Sequence, residues 1–85
     1  MKFGLFGGIS AVGGDVTGYQ NSYETYIDAV IEAEALGFHG NFVVEHHFTG
    51  MGQVSASLNL LTFLAARTSR IRLGTAVVVL PWHNP

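Results

Sequence analysis

The sequence predicts an α/β fold: consecutive strand–helix units of parallel strands, a β-α-β-α-β portion from the N-terminal side of a (β/α)8, or TIM, barrel. Three observations carry that reading. Short apolar runs alternate with two segments of helical period. Phe42-Val43-Val44 and Ala76-Val77-Val78-Val79-Leu80 are apolar without alternation, which implies strands buried on both faces, as parallel strands under helices are. Each helical segment is long enough to return the chain for parallel pairing with its neighbour.

The elements follow in order. Lys2 to Phe6 is a short apolar strand closed by Gly7-Gly8. Ile9 to Gln20 is rich in Gly, Ser and Thr and reads as a loop. Asn21 offers an N-cap oxygen with Glu24 three residues on, the spacing of a capping box. Tyr23, Tyr26, Ile27, Val30 and Ile31 then form one apolar helical stripe. Gly37 stands where a helix ends in a left-handed residue, and Phe38 can fold back on the last turn. Gly40 to Glu45 is the second strand, and residues 49–54 are a loop. Ser55 or Ser57 caps a second helix through Leu58, Leu61, Leu64 and Ala65 to about Ser69, with Arg67 and Arg70 complementing its dipole. Ile71 to Leu80 is the third strand, stopped by Pro81.

Composition narrows the function classes. The 85 residues contain no cysteine, so neither disulfides nor thiolate metal sites hold the fold together. Only 12% of residues are charged against 48% hydrophobic. That is about half the charge of an average soluble domain, so much of this surface is expected to be covered by something else. A full barrel needs about 250 residues. Residues 1–85, two and a half units, are therefore expected to be a single partial domain whose open strand edges meet further chain or a partner. A formal net charge of −2 gives no electrostatic reason for nucleic acid or an anionic membrane as partner. Met1-Lys2-Phe3-Gly4-Leu5-Phe6 has no signal-peptide h-region, and Thr75 to Pro81 is too short to span a bilayer, so a cytoplasmic protein is expected. No GxGxxG follows the first strand, which leaves a dinucleotide-binding half-fold without support.

Glu45-His46-His47-Phe48 is the one dense cluster of ionisable residues, placed at the C-terminal end of a strand, where parallel barrels build active sites. A histidine there can move a proton near neutral pH, and a neighbouring carboxylate can orient it or raise its pKa. The plainer reading, in which one histidine only caps a backbone carbonyl, stays open. A metal site is weaker, because adjacent strand residues point to opposite faces and His46 and His47 would not both reach one ion. His39 falls at the opposite, N-terminal rim. His83 follows the third strand on the same rim as His46 and either lines the same pocket or, with Trp82, seats a following helix. Among the aromatic residues, Phe6 and Phe48 end strands at this rim and are the candidates for a substrate pocket.

Glu45-His46-His47-Phe48-Thr49 followed by Leu73-Gly74-Thr75-Ala76-Val77-Val78-Val79-Leu80-Pro81 resembles the start of the bacterial-luciferase-like, flavin-dependent monooxygenases, as do the Met-Lys-Phe-Gly opening and the Leu36-Gly37-Phe38 helix end. The resemblance implies a (β/α)8 barrel that binds reduced FMN at the C-terminal rim and uses dioxygen to oxidise a small organic substrate. It implies His46 as the catalytic imidazole, Glu45 beside the flavin and tuning His46, and His47 as a less certain member. Thr75, Ala76 and Val77 would lie against the flavin, with a cis peptide bond between Ala76 and Val77. A flavin reductase as electron supplier and a homo- or heterodimer come with the same resemblance. The family's phosphate-binding residues belong to later strands, so these 85 residues alone are expected to hold FMN weakly or not at all. The alternatives are an F420-dependent oxidoreductase on the same barrel, and a non-catalytic flavoprotein or partner subunit. A metal-dependent hydrolase barrel ranks last.

Overall fold

A computed structural model of the chain describes residues 1–9, 16–48 and 54–85. Within them the order is β1 (Gly4–Gly7), α1 (Val16–Ala35), β2 (Gly40–Val43), α2 (Ser57–Arg67) and β3 (Arg72–Thr75), then a short 3-10 helix over Leu80–Trp82. The strands form one parallel sheet in the order β1-β2-β3. Gly4 pairs with Gly40 and Gly40 with Arg72 at one end, and Gly7 with Val43 and Val43 with Thr75 at the other. The β-α-β-α-β expectation is met.

The register sorts the side chains by face, since neighbours along a strand point to opposite sides. Asn41 and Val43 are buried with Val30 and Ala33 of α1, Leu60 and Leu64 of α2, and Ile9, Val54 and Ile71. Phe6 and Phe42, paired in register, are exposed at 73% and 44%. The continuous apolar runs therefore do not mean burial on both faces within this chain: the two helices cover one face, and the other keeps Phe6 and Phe42 open. On that open face the Phe42 ring lies across β3, so that a Cβ added to Gly74 would sit 3.0 Å from it.

Other boundaries move for identifiable reasons. The Ile9–Gln20 loop is shorter than expected, because α1 already includes Val16–Gln20; residues 10–15 lie outside the described part. Asn21 is thus inside the helix, and Glu24, instead of closing a capping box, accepts a hydrogen bond from the Gln20 side chain one turn back at 3.2 Å. The helix end is as expected. Gly37 has φ +90, and Phe38 N–H donates to Ala33 O at 2.9 Å while Gly37 N–H donates to Glu34 O at 3.1 Å, the Schellman pattern.

Neither expected serine caps α2. The N-cap position is Ala56, with no side-chain bond, and Ser57 turns its hydroxyl to Glu45 instead. The helix stops at Arg67 rather than Ser69, and β3 stops at Thr75 rather than Leu80. The Ala76–Val77 bond is cis, the isomer the family resemblance implies, and the chain beyond it leaves the sheet. Pro81 accordingly lies in the 3-10 helix instead of ending a strand, and Val77 and Leu80 are exposed rather than buried. No helix among the described residues is long and apolar enough to cross a membrane.

Candidate active site

β2 delivers Glu45 to the C-terminal rim, two residues past its last paired position. There the carboxylate is buried and both oxygens are engaged. His83 Nε2 lies 2.6 Å from Oε1, which also receives the Ser57 hydroxyl at 3.4 Å. Oε2 receives the Val79 N–H at 3.0 Å and lies 3.2 Å from His47 Nε2. Glu45 therefore ties three segments together: the end of β2, the start of α2 and the stretch after β3. Burial pushes its pKa upward, but the hydrogen-bonding contacts with His83, His47 and the Val79 amide outweigh that and bring it down to about 2. It is a carboxylate at neutral pH.

The three residues of the cluster are sorted by this geometry. His47 shares the Glu45 carboxylate and stacks on Trp82, with ring centroids 4.6 Å apart and planes 25° from parallel. Phe48, with φ 59, sets its ring 5.7 Å from Trp82 and is 92% exposed. His46 points elsewhere. Its backbone N–H donates to Val54 O at 2.9 Å, the residue is exposed, and its imidazole makes no hydrogen bond among the described residues. Among the described residues the Glu45 carboxylate thus makes no hydrogen bond to the His46 side chain. The side chains it holds are His47 and His83.

Of the other sequence candidates, Thr75 and Ala76 are half-buried at the end of β3, where Ala76 N–H donates to Val43 O at 2.9 Å. Val77 and Phe6 are exposed. Thr49 lies outside the described residues. His39 sits at the opposite rim, as expected, where its amide donates to Phe3 O and its carbonyl receives the Arg72 N–H. His83 resolves in favour of the rim. Ser57, Val79 and Trp82 were not legible as site members. A helix-starting serine gives no hint that it bonds to a distant glutamate, and the Val79 contribution is a backbone amide, which carries no residue-type signal. A cleft of about 370 Å3 lies apart from this cluster, between Gly8–Ile9 and the α1 residues Asn21, Thr25 and Tyr26.

The fold is thus a parallel α/β sheet whose C-terminal strand ends carry a buried carboxylate, two imidazoles held by it and a third, exposed one. Comparison with known proteins makes the assignment definite: the sequence profile described as luciferase-like monooxygenase matches residues 1–85, and the chain belongs to that family. It is 44% identical over 52 residues, 61% of this chain and 14% of the relative, to 4-hydroxyprotoasukamycin monooxygenase of Streptomyces nodosus subsp. asukaensis. It is 34% identical over 67 residues, 79% of this chain and 19% of the relative, to the alkanal monooxygenase alpha chain of Photobacterium leiognathi. The chain thus spans less than a quarter of the length of these curated relatives. In fold it matches the oxygenating constituent of 3,6-diketocamphane monooxygenase from the CAM plasmid of Pseudomonas putida, a type II Baeyer-Villiger monooxygenase solved with FMN. The TM-score is 0.86 at 18% identity, over 99% of this chain and 22% of that one.

Proposed function

We propose that residues 1–85 form the first two and a half strand–helix units, a partial domain, of a (β/α)8 flavin-dependent monooxygenase that uses reduced FMN and dioxygen to oxidise a small organic substrate. The observation that carries this reading is the rim itself: an exposed imidazole, His46, stands at the C-terminal end of a parallel sheet in a chain of the luciferase-like monooxygenase family. The residues present suit a flat, mostly apolar ring. Phe6 and Val77 are uncovered there, and Thr75 and Ala76 are only half-buried. Reduced flavin, when bound, supplies the electrons that activate dioxygen.

In this reading Thr75, Ala76 and Val77 would hold the cofactor, Phe6 and Phe48 would border the substrate, and His46 would exchange a proton with the reacting groups. His46 suits the last task because its ring is free of competing hydrogen bonds among the described residues. An imidazole so used contributes about 10²–10⁴-fold to a rate. The reading also takes in a flavin reductase as electron supplier, a dimeric assembly and a cytoplasmic setting, and leaves F420 as the alternative cofactor.

The test is reconstitution of the full-length protein with FMN and, separately, with F420. Flavin absorbance and oxygen-dependent turnover with FMNH2 are the expected result. His46→Ala should lower turnover on the order of 100-fold or more while changing flavin affinity little. Binding of F420 alone would move the assignment to hydride transfer. Absence of both cofactors would overturn it, and unchanged turnover in His46→Ala would remove His46 from the mechanism.

A further inference from the structure

Glu45 contacts two imidazoles through the same ring atom: Nε2 of His83 at 2.6 Å and Nε2 of His47 at 3.2 Å. Each carboxylate oxygen already receives another donor, Ser57 Oγ–H at Oε1 and Val79 N–H at Oε2. An ionised carboxylate only accepts hydrogen bonds. Both imidazoles must therefore supply the proton from Nε2, and a neutral ring that donates from Nε2 carries its lone pair on Nδ1. Neither Nδ1 has a hydrogen-bond partner among the described residues, although neither histidine is fully buried.

We propose that Glu45 is a positioning residue that fixes His83 and His47 as Nε2–H tautomers, leaving their Nδ1 atoms as paired acceptors at the rim for an N–H or O–H donor of a bound ligand. The inference rests on the proposed flavoenzyme reading for the identity of that ligand, but not for the tautomers. His47 is further held in orientation by its stack on Trp82. His83 depends on Glu45 and on the Val79 bond that brings its segment down to the same carboxylate. This makes His83 a member of the site in its own right and gives Glu45 a role that does not pass through His46.

The test is nitrogen-15 NMR of histidine-labelled full-length protein without flavin, at a pH where the imidazoles are neutral. His83→Gln and His47→Gln assign the signals. The expected result is a protonated Nε2 and an unprotonated Nδ1 for both residues. Glu45→Gln should shift His83 toward a tautomer mixture, and Glu45→Asp should restore part of the preference. An Nδ1–H tautomer at His83 in the unaltered protein would overturn the proposal without any variant having to fold, as would tautomers unmoved by Glu45→Gln in a folded variant. With flavin bound, His83→Lys keeps a donor toward Glu45 and carries no acceptor. Turnover should fall about 10-fold or more with flavin affinity held within about 2-fold, and unchanged turnover would overturn the ligand-facing half of the proposal. Correct tautomers in a protein that binds no flavin would leave the tautomer lock standing and refute the flavoenzyme reading alone.

Discussion

The hydrogen bond between Tyr26 of α1 and Asn41 of β2 offers a sharp test of how the helix layer is fixed to the sheet. Asn41 is fully buried, its Oδ1 accepts from Tyr26 Oη–H at 2.9 Å, and its Nδ2 has no partner among the described residues. The amide is thus half-satisfied already, and Tyr26→Phe would remove its one side-chain bond. A net hydrogen bond contributes about 0.5–1.5 kcal/mol, and stranding a buried acceptor costs about 1–3 kcal/mol. Tyr26→Phe should therefore destabilise by about 1–3 kcal/mol. Asn41→Val should behave differently. It removes the unsatisfied Nδ2 together with the acceptor, places a β-branched residue in a strand, and leaves the half-buried Tyr26 hydroxyl able to reach water. Its cost should be below about 1 kcal/mol, because it also removes the stranded Nδ2, and the double replacement with Tyr26→Phe takes away both partners of the bond, which can be nearly neutral. In the Asn41→Val background, Tyr26→Phe should then cost almost nothing. Urea unfolding of the four proteins in this cycle reads the coupling directly. Equal costs for Tyr26→Phe in both backgrounds, or an Asn41→Val cost above about 3 kcal/mol, would refute the reasoning.

Two further outcomes follow from close contacts and from a carboxylate that gathers backbone amides. A Cβ on Gly4 would meet the Gly40 carbonyl oxygen at 3.1 Å, whereas one on Gly74 would meet only the ring of Phe42, which is partly exposed and can swing. Gly4→Ala should cost about 1–3 kcal/mol of stability by urea unfolding, the usual range for overpacking, and Gly74→Ala clearly less; the reverse order would show that Phe42 cannot move. Glu34 at the end of α1 accepts the backbone N–H groups of Ser69, Arg70 and Ile71 at 2.7–3.2 Å, and these bonds lower its pKa. Its stabilisation is therefore present above the ordinary carboxylate value and lost as pH falls through the lowered one. Glu34→Gln should reduce stability at pH 7 and converge with the unaltered protein in acid. A stability difference that does not narrow on acidification would remove the charge from the explanation.

Much of the fold was legible because its signals are local. The Gly37 helix end needs only a residue tolerant of positive φ, and the sequence shows it. The stripe of Tyr23, Tyr26, Ile27 and Val30 does pack toward the core. What failed were inferences that need knowledge of a distant partner. Asn21 looked like a cap because Asn and Glu at that spacing often are, yet the helix had begun five residues earlier at Val16. Ser57 looked like a cap and is instead bonded to a carboxylate twelve residues back. The apolar run from Ala76 looked like strand, but the chain leaves the sheet at Thr75. Residue type reports what a side chain can do, and only the fold decides which neighbour it does it with. The candidate site shows the same division: the strand-end position of Glu45, His46 and His47 was legible, while the pairing of Glu45 with His83 depends on a contact 38 residues apart in sequence.

That contact also explains how so short a third strand can be held. β3 has four residues, and its pairing with β2 is parallel, a pattern slightly weaker per residue than antiparallel pairing. A carboxylate stands at each end of it. Glu34 gathers the amides that lead into β3, and Glu45 takes the Val79 amide and His83 that follow it. The two differ in what depends on them. Glu34 is far from the rim and fixes only where the strand begins. Glu45 sits at the rim and fixes where the chain goes after Thr75, including the path of Ala76 and Val77 and the placement of His83 and Trp82 over His47. A single buried carboxylate thus couples the stability of the sheet edge to the shape of the site. Replacing Glu34 should weaken the fold and leave the site's geometry intact, while replacing Glu45 should alter both together.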